Sequence, residues 1–447
     1  MSGSLLIFTA LAGIFLLLFF VIRVKLHAFV ALLLVSLIVG VCAGMPLNSV
    51  LQSIQKGMGG TLGFVAVIVG LGAMFGQMLE VSGGAERLAQ SLIKKFGEDK
   101  AQWALGITGF LIAIPVFFDV GLIILIPIIY GLAKKTGRSL LFYAIPLLAG
   151  LAVTHSFIPP TPGPIAVADL IGADLGWVIL FGILAGIPAM IIAGPLFGKY
   201  IGQKIHINVP DYMNIEEKTD DKDLPSFDII AGIILVPLVL ILLNTFSELL
   251  LPNGSIVHDI LVFVGHPFTA LIIATLLAFY FLGIKQGYSK NEVQIIANKA
   301  LEPAGIIILV TGAGGVFKQI LMDSGVGFVL GEMMAASSMP PLLLAFLIAS
   351  IIRIAQGSAT VAMIATAGLM SPLITSLQLE GPILGLMVIA IAAGATILSH
   401  VNDSGFWLVN RYLGLNVQET LKSWTIMETL IALVGFSVVF TLSLFIT

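Results

Sequence analysis

Long runs with almost no charge alternate with short polar segments from one end of this chain to the other. Eight runs have the length of a single membrane helix, at residues 5–22, 27–45, 61–79, 176–198, 227–247, 260–283, 303–321 and 426–446, since about 20 apolar residues span the hydrocarbon core. Four further apolar stretches are interrupted. The stretch 103–133 is too long for one span and is broken by Ile114-Pro115-Val116-Phe117-Phe118-Asp119; the stretch 342–377 is broken by Arg353-Ile354-Ala355-Gln356-Gly357-Ser358-Ala359-Thr360. Each predicts two short helices meeting at a polar tip, a re-entrant hairpin whose irregular backbone is tolerable only where protein or water satisfies it. The stretches 139–171 and 383–412 carry Pro-, Gly- or Asn-rich interruptions and predict broken crossings.

The basic residues orient this layout, because short cytoplasmic loops hold the positive excess. With the N-terminus outside, the cytoplasmic segments collect 18 of the 21 Lys and Arg residues, the external loops keep only Lys56, and Lys318 and Arg353 fall inside the membrane. A different number of crossings scatters these charges to both sides. The expectation is an all-α polytopic membrane protein of about ten transmembrane helices plus two re-entrant hairpins, with both termini outside.

Composition agrees. At 58% hydrophobic and 10% charged residues, the chain is far from the soluble mean of roughly 45–50% apolar and about 25% charged, which excludes an ordinary water-soluble protein. A formal net charge of −3 leaves no basic field for a polyanion, so nucleic acid is excluded as a partner. The single cysteine, Cys42, has nothing to pair with in the chain. No Lys or Arg precedes the first apolar stretch and no small-residue cleavage pattern ends it, so it reads as a retained helix and not a signal peptide.

The chain also repeats itself. The fourteen residues Gly70 to Gly83 align without gaps with Gly312 to Gly325 and match at seven positions, which composition alone does not supply. At nearly the same offset the two hairpins align, as do Thr154-His155 and Ser399-His400 in the broken crossings. By charge placement, the crossing at 61–79 runs inward and that at 303–321 outward. The expected domains are therefore two inverted-topology repeats, 1–203 and 226–447, joined by a cytoplasmic polar linker at 204–225. Interrupted helices converging near the midplane of such a pair describe many secondary transporters.

Ionisable groups at membrane depth are costly and are functional candidates by default. Arg353 approaches the second hairpin tip, where the first half has Leu111; its guanidinium either binds a substrate carboxylate bidentately or pairs with a protein carboxylate or helix carbonyls. Asp119, at the first tip, is either a coupling-proton carrier or a helix cap and Arg partner. In the first broken crossing His155 precedes Pro159-Pro160-Thr161-Pro162-Gly163-Pro164, and four prolines in six residues cannot continue a helix. The other half has Ser399-His400-Val401-Asn402-Asp403-Ser404-Gly405-Phe406. These runs bring hydroxyls, amides, the carboxylate of Asp403 and two imidazoles to where a polyhydroxylated solute would need them, although both histidines also suit packing inside the breaks. Ser358 and Thr360 offer hydroxyls at a helix start, either an anion seat or tight packing through small residues. Glycine-rich crossings such as Gly70 to Gly76 read as packing faces. Zinc-protease and nucleophile-elbow motifs are absent from the sequence, and His400 with Asp403 makes a poor metal site.

Several runs together carry a family likeness: Gly59-Gly60-Thr61-Leu62-Gly63, Phe157 to Pro164, Gly312 to Gln319, Gly357-Ser358-Ala359-Thr360-Val361-Ala362 and Ser399 to Trp407. In these the chain resembles the gluconate:proton symporter (gluconate permease) family over nearly its whole length. The resemblance implies proton-coupled uptake of gluconate or a related sugar acid across the bacterial inner membrane, on an elevator-type, ion-transporter-like fold with paired hairpins. It departs at Thr161, where many relatives have His, and D-serine and other hydroxy-acid carriers share the scaffold. The expected substrate contacts are Arg353, Ser358, Thr360, His155, Thr161, His400, Asn402 and Ser404; the expected proton carriers are Asp119 and Asp403. No enzyme activity, cofactor or metal is expected. The expected partners are a small organic anion, protons and the lipid bilayer, with a homodimer left open. A passive channel or facilitator for small organic anions is the rival reading.

Overall fold

The computed structural model describes residues 3–210, 224–252, 254–325 and 339–446. These residues form helices joined by turns and short loops, with no strand among them, as a chain in hydrocarbon must when each backbone N–H and C=O needs a partner within its own segment. Eight of the described helices are long and apolar enough to cross a membrane: Leu47–Val81, Leu140–Ile171, Leu175–Lys204, Phe227–Leu250, Pro267–Gln286, Lys290–Asp323, Ala359–Ser376 and Val417–Ser443. Shorter apolar helices, Ala28–Cys42, Ile256–Gly265, Pro341–Gln356 and Pro382–Thr396, accompany them. Most of the polar linker expected at 204–225 lies outside the described residues.

Three elements differ from the hydropathy reading. The helix expected at 61–79 begins at Leu47, and the one expected at 303–321 begins at Lys290. In both extensions only one face is buried: Val50, Ser53, Gly57 and Thr61 in the first, and Val293, Ile296, Ala297, Ala300 and Ala304 in the second. Gln52, Gln55, Lys56, Lys299 and Glu302 occupy the exposed faces, so the run is amphipathic and a hydropathy average hides it. A capping box fixes the second start, with Glu292 N–H donating to Ser289 Oγ at 3.3 Å and Ser289 N–H donating to Glu292 Oε2 at 2.7 Å. The third difference is at 260–283, which splits into Ile256–Gly265 and a helix starting at Pro267. Pro267 has no N–H to continue the first helix, and His266 Nδ1 accepts from Phe268 N–H to cap the second.

The four interrupted stretches each fold as two helices. Ala101–Ile112 and Phe118–Thr136 meet at residues 113–117, and Pro341–Gln356 and Ala359–Ser376 meet at Gly357-Ser358. Leu140–Phe157 is followed by a break and then Pro162–Ile171, while Pro382–Thr396 is followed by a longer break and then Ser404–Tyr412. Ala101–Ile112 packs on Leu140–Phe157, and Pro341–Gln356 packs on Pro382–Thr396, which also lies against Ile426–Ser443.

The two long helices Leu47–Val81 and Lys290–Asp323 pack along each other and form a frame beside these pieces. Glycines of the frame allow close approach at three of these contacts. Gly72 lies against Pro160, Gly76 against the Pro115 carbonyl, and Gly314 against Ile364. A Cβ at Gly76 or Gly314 would overlap its neighbour.

Candidate functional site

Both hairpin junctions and both broken crossings converge on one cavity of about 580 Å³, within the range of roughly 300–1,000 Å³ usual for small-molecule pockets. Its lining includes Phe117 to Val120 from the first hairpin, Gln356 to Thr360 from the second, His155 and Ser156 from the last turn of the helix before the first break, and Asn402 to Gly405 from the second break and the helix start after it. Three helices therefore start at the cavity: Phe118–Thr136, Ala359–Ser376 and Ser404–Tyr412. Helix starts present unpaired N–H groups and the positive end of the backbone dipole, which favours an anion.

Arg353 is the cation of this wall and is 3% exposed. Its Nη2 donates to Asp403 Oδ2 at 2.6 Å, and its Nη1 donates to the Gly357 carbonyl. Its Nε has no hydrogen-bond partner among the described residues. Asp403 also accepts from the Ser399 hydroxyl and, through Oδ1, from Gly405 N–H at 3.1 Å, which caps the helix beginning at Ser404. Ser399 is itself fixed, because Trp424 Nε1 donates to its Oγ at 2.7 Å. Gly357 has φ +91° and faces the Asn402 backbone with no room for a Cβ, so glycine is required to turn the second tip. The break reaches back to the hairpin a second time, with Asn402 Nδ2 and His400 Nε2 donating to Ile354 O at 2.9 and 3.0 Å.

The first half contributes a different surface. Asp119 is exposed to the cavity, where the field of its carboxylate reaches His155. His155 stands edge-on to Phe117 with ring centroids 6.3 Å apart, and its buried Nδ1 has no partner among the described residues.

Of the residues expected from sequence, the structure gathers Arg353, Ser358, Thr360, His155, Asn402, Ser404, Asp119 and Asp403 around the cavity. Thr161 and His400 stand outside its lining: the buried Thr161 hydroxyl donates to Ile158 O at 2.6 Å, and the His400 ring holds the Ile354 carbonyl.

The sequence matches the family described as GntP family permease over residues 5–445. The chain belongs to this family. It is 44% identical over 435 residues to the "Low-affinity gluconate transporter" of Escherichia coli (strain K12), covering 97% of each chain. It is 41% identical to the "Gnt-II system L-idonate transporter" of the same organism, covering 95% of this chain and 96% of that one. The fold is similar to the crystal structure of the Alcanivorax borkumensis YdaH transporter, with TM-score 0.66 at 17% identity, over 92% of this chain and 97% of that one. A GntP family permease is a multi-pass membrane transporter and not an enzyme.

Sequence reading of this permease missed Glu428 and Trp424, which also line the cavity. Glu428 is the one acid of the 426–446 run and stands near its start. Lys318, expected inside the membrane, interacts with Asp169, whose carboxyl also accepts a hydrogen bond from Thr61. This second charged pair lies outside the cavity lining.

Proposed function

We propose that this permease is a secondary active transporter that takes up gluconate or a related sugar acid together with protons across the bacterial inner membrane. The observation that carries the reading is the cavity at which three helix starts meet beside Arg353. Its N–H groups and charge suit a carboxylate, while Ser358, Thr360, Ser404, Asn402 and His155 suit the hydroxyls of a sugar acid. Thr161 and His400 support this set from behind by holding the breaks in shape. The names of the relatives, a gluconate and an L-idonate transporter, favour the same substrate class. Asp119 and Asp403, proposed from the sequence, and Glu428, found in the structure, are the acids available to carry the proton. The same reading takes the two halves as inverted repeats with both termini outside, and the transport step as an elevator-type displacement of the hairpins and broken crossings.

Uptake of labelled gluconate into proteoliposomes tests the proposal. Accumulation above the external concentration, collapsed by a protonophore, is expected; equilibration without accumulation identifies a passive facilitator instead. Competition by L-idonate but not D-serine is expected for a sugar-acid site, and the reverse order would reassign the substrate.

A further inference from the structure

We propose that Glu428 is the proton-binding group of this permease, and that it exchanges its proton in step with the substrate carboxylate because both compete for the charge of Arg353. The inference rests on the symport reading above and assigns its coupling residue.

The cavity holds more acids than cations. Arg353, from the helix Pro341–Gln356, is faced by Asp403 from the second break and by Glu428 from the last helix, with Asp119 and His155 contributed by the first half. Asp403 has every partner of an ionised carboxylate: the guanidinium, the Ser399 hydroxyl and the Gly405 N–H all donate to it. Glu428 has none of these. It is 4% exposed, it makes no hydrogen bond among the described residues, and it lies within the fields of Arg353 and Asp403. The buried guanidinium balances the partly buried Asp403 carboxylate, and a second charged acid beside the pair is left uncompensated.

Asp119 differs in burial. It is exposed, whereas Glu428 is 4% exposed at the wall of the same cavity.

The charge count then links proton and anion. With the site empty and Glu428 ionised, Arg353, Asp403 and Glu428 sum to one negative charge. With a sugar-acid carboxylate bound and a proton on a Glu428 carboxyl oxygen, the sum is again one negative charge. The substrate carboxylate takes the electrostatic place that Glu428 gives up on protonation, and no other bond is made or broken. A bound anion with Glu428 ionised adds a second uncompensated charge, so proton and anion raise each other's affinity by the same factor. The stoichiometry that follows is one proton per monovalent anion at this site.

The experiment compares wild type, Glu428→Gln and Glu428→Asp in proteoliposomes with labelled gluconate. Gln resembles the protonated acid, so Glu428→Gln is expected to lose proton-driven accumulation, to keep substrate counterflow, and to bind gluconate with an affinity that no longer changes with pH. Glu428→Asp is expected to accumulate substrate against its gradient. In detergent at alkaline pH, where Glu428 of the empty site is ionised, wild type is expected to take up one proton per gluconate bound, read with a pH indicator in weak buffer, a measurement that needs no variant to fold. Absence of that uptake overturns the proposal. A coupled wild type with an equally coupled Glu428→Gln variant overturns the assignment alone, whereas a wild type that only equilibrates overturns the symport reading and this assignment with it. Loss of counterflow as well as accumulation in Glu428→Gln gives Glu428 a structural role and also overturns it.

Discussion

The two hairpin junctions line the same cavity yet are held by different forces. The first, Ala113 to Phe117, is apolar and nearly all buried. Its neighbours are the bare frame at Gly76 and the proline-rich break, whose Thr161 hydroxyl satisfies the Ile158 carbonyl locally. The second, at Gly357-Ser358, is tied by Arg353 to Asp403 and by Asn402 and His400 to Ile354. Packing and proline are indifferent to an arriving ion. An ion pair changes partners when a new charge enters a low-dielectric site. The contrast is between a packed, apolar first junction and an ion-paired second one.

Removing Arg353 is the most severe way to break this contrast. Arg353→Met leaves the partly buried Asp403 carboxylate without its cation, a loss of at most about 3–5 kcal/mol, and thermal unfolding of the purified protein should show it as a drop in midpoint together with loss of uptake. Arg353→Lys keeps the charge but not the planar fork. Gluconate affinity should fall tenfold or more, since hydrogen bonds to charged groups contribute roughly 1.5–3 kcal/mol; unchanged affinity in a folded Lys variant would detach Arg353 from the substrate.

Gly357→Ala should come next. It forces a side chain into left-handed backbone, at about 1–3 kcal/mol, and displaces Asn402 from Ile354, so both stability and transport should suffer. The smallest effect is expected from Thr161→Val in the other half, which removes one neutral hydrogen bond worth about 0.5–1.5 kcal/mol. Uptake kinetics should stay close to wild type while the melting midpoint falls slightly. A Thr161→Val variant that loses transport as completely as Gly357→Ala would abolish the division between the two halves.

Much of this was readable from the chain because membrane depth penalises exceptions. Long charge-poor runs, prolines at 159–164, and Arg353 and Asp403 at polar interruptions each stand out against an apolar background. The starts at Leu47 and Lys290 did not stand out, because Lys56, Lys299 and Glu302 on the outer faces cancel the apolar inner faces in any average. Glu428 was obscured for a different reason. Its meaning depends on Arg353, seventy-five residues away in sequence, and only the packing of the last helix against Pro382–Thr396 and its neighbours brings the two to one cavity. The pairing of Asp169 with Lys318 was equally invisible to local reading.

In the elevator-type step proposed above, the glycine contacts between the frame and the hairpins and broken crossings bear on speed. Helices that interlock as ridges in grooves must disengage their side chains before one slides past the other, and every such disengagement is a friction term in the rate. At Gly72 and Gly76 the frame meets Pro160 and the Pro115 carbonyl with no side chain of its own between them. A methyl group at Gly76 would push the first hairpin off this seat, and slower turnover is the expected result.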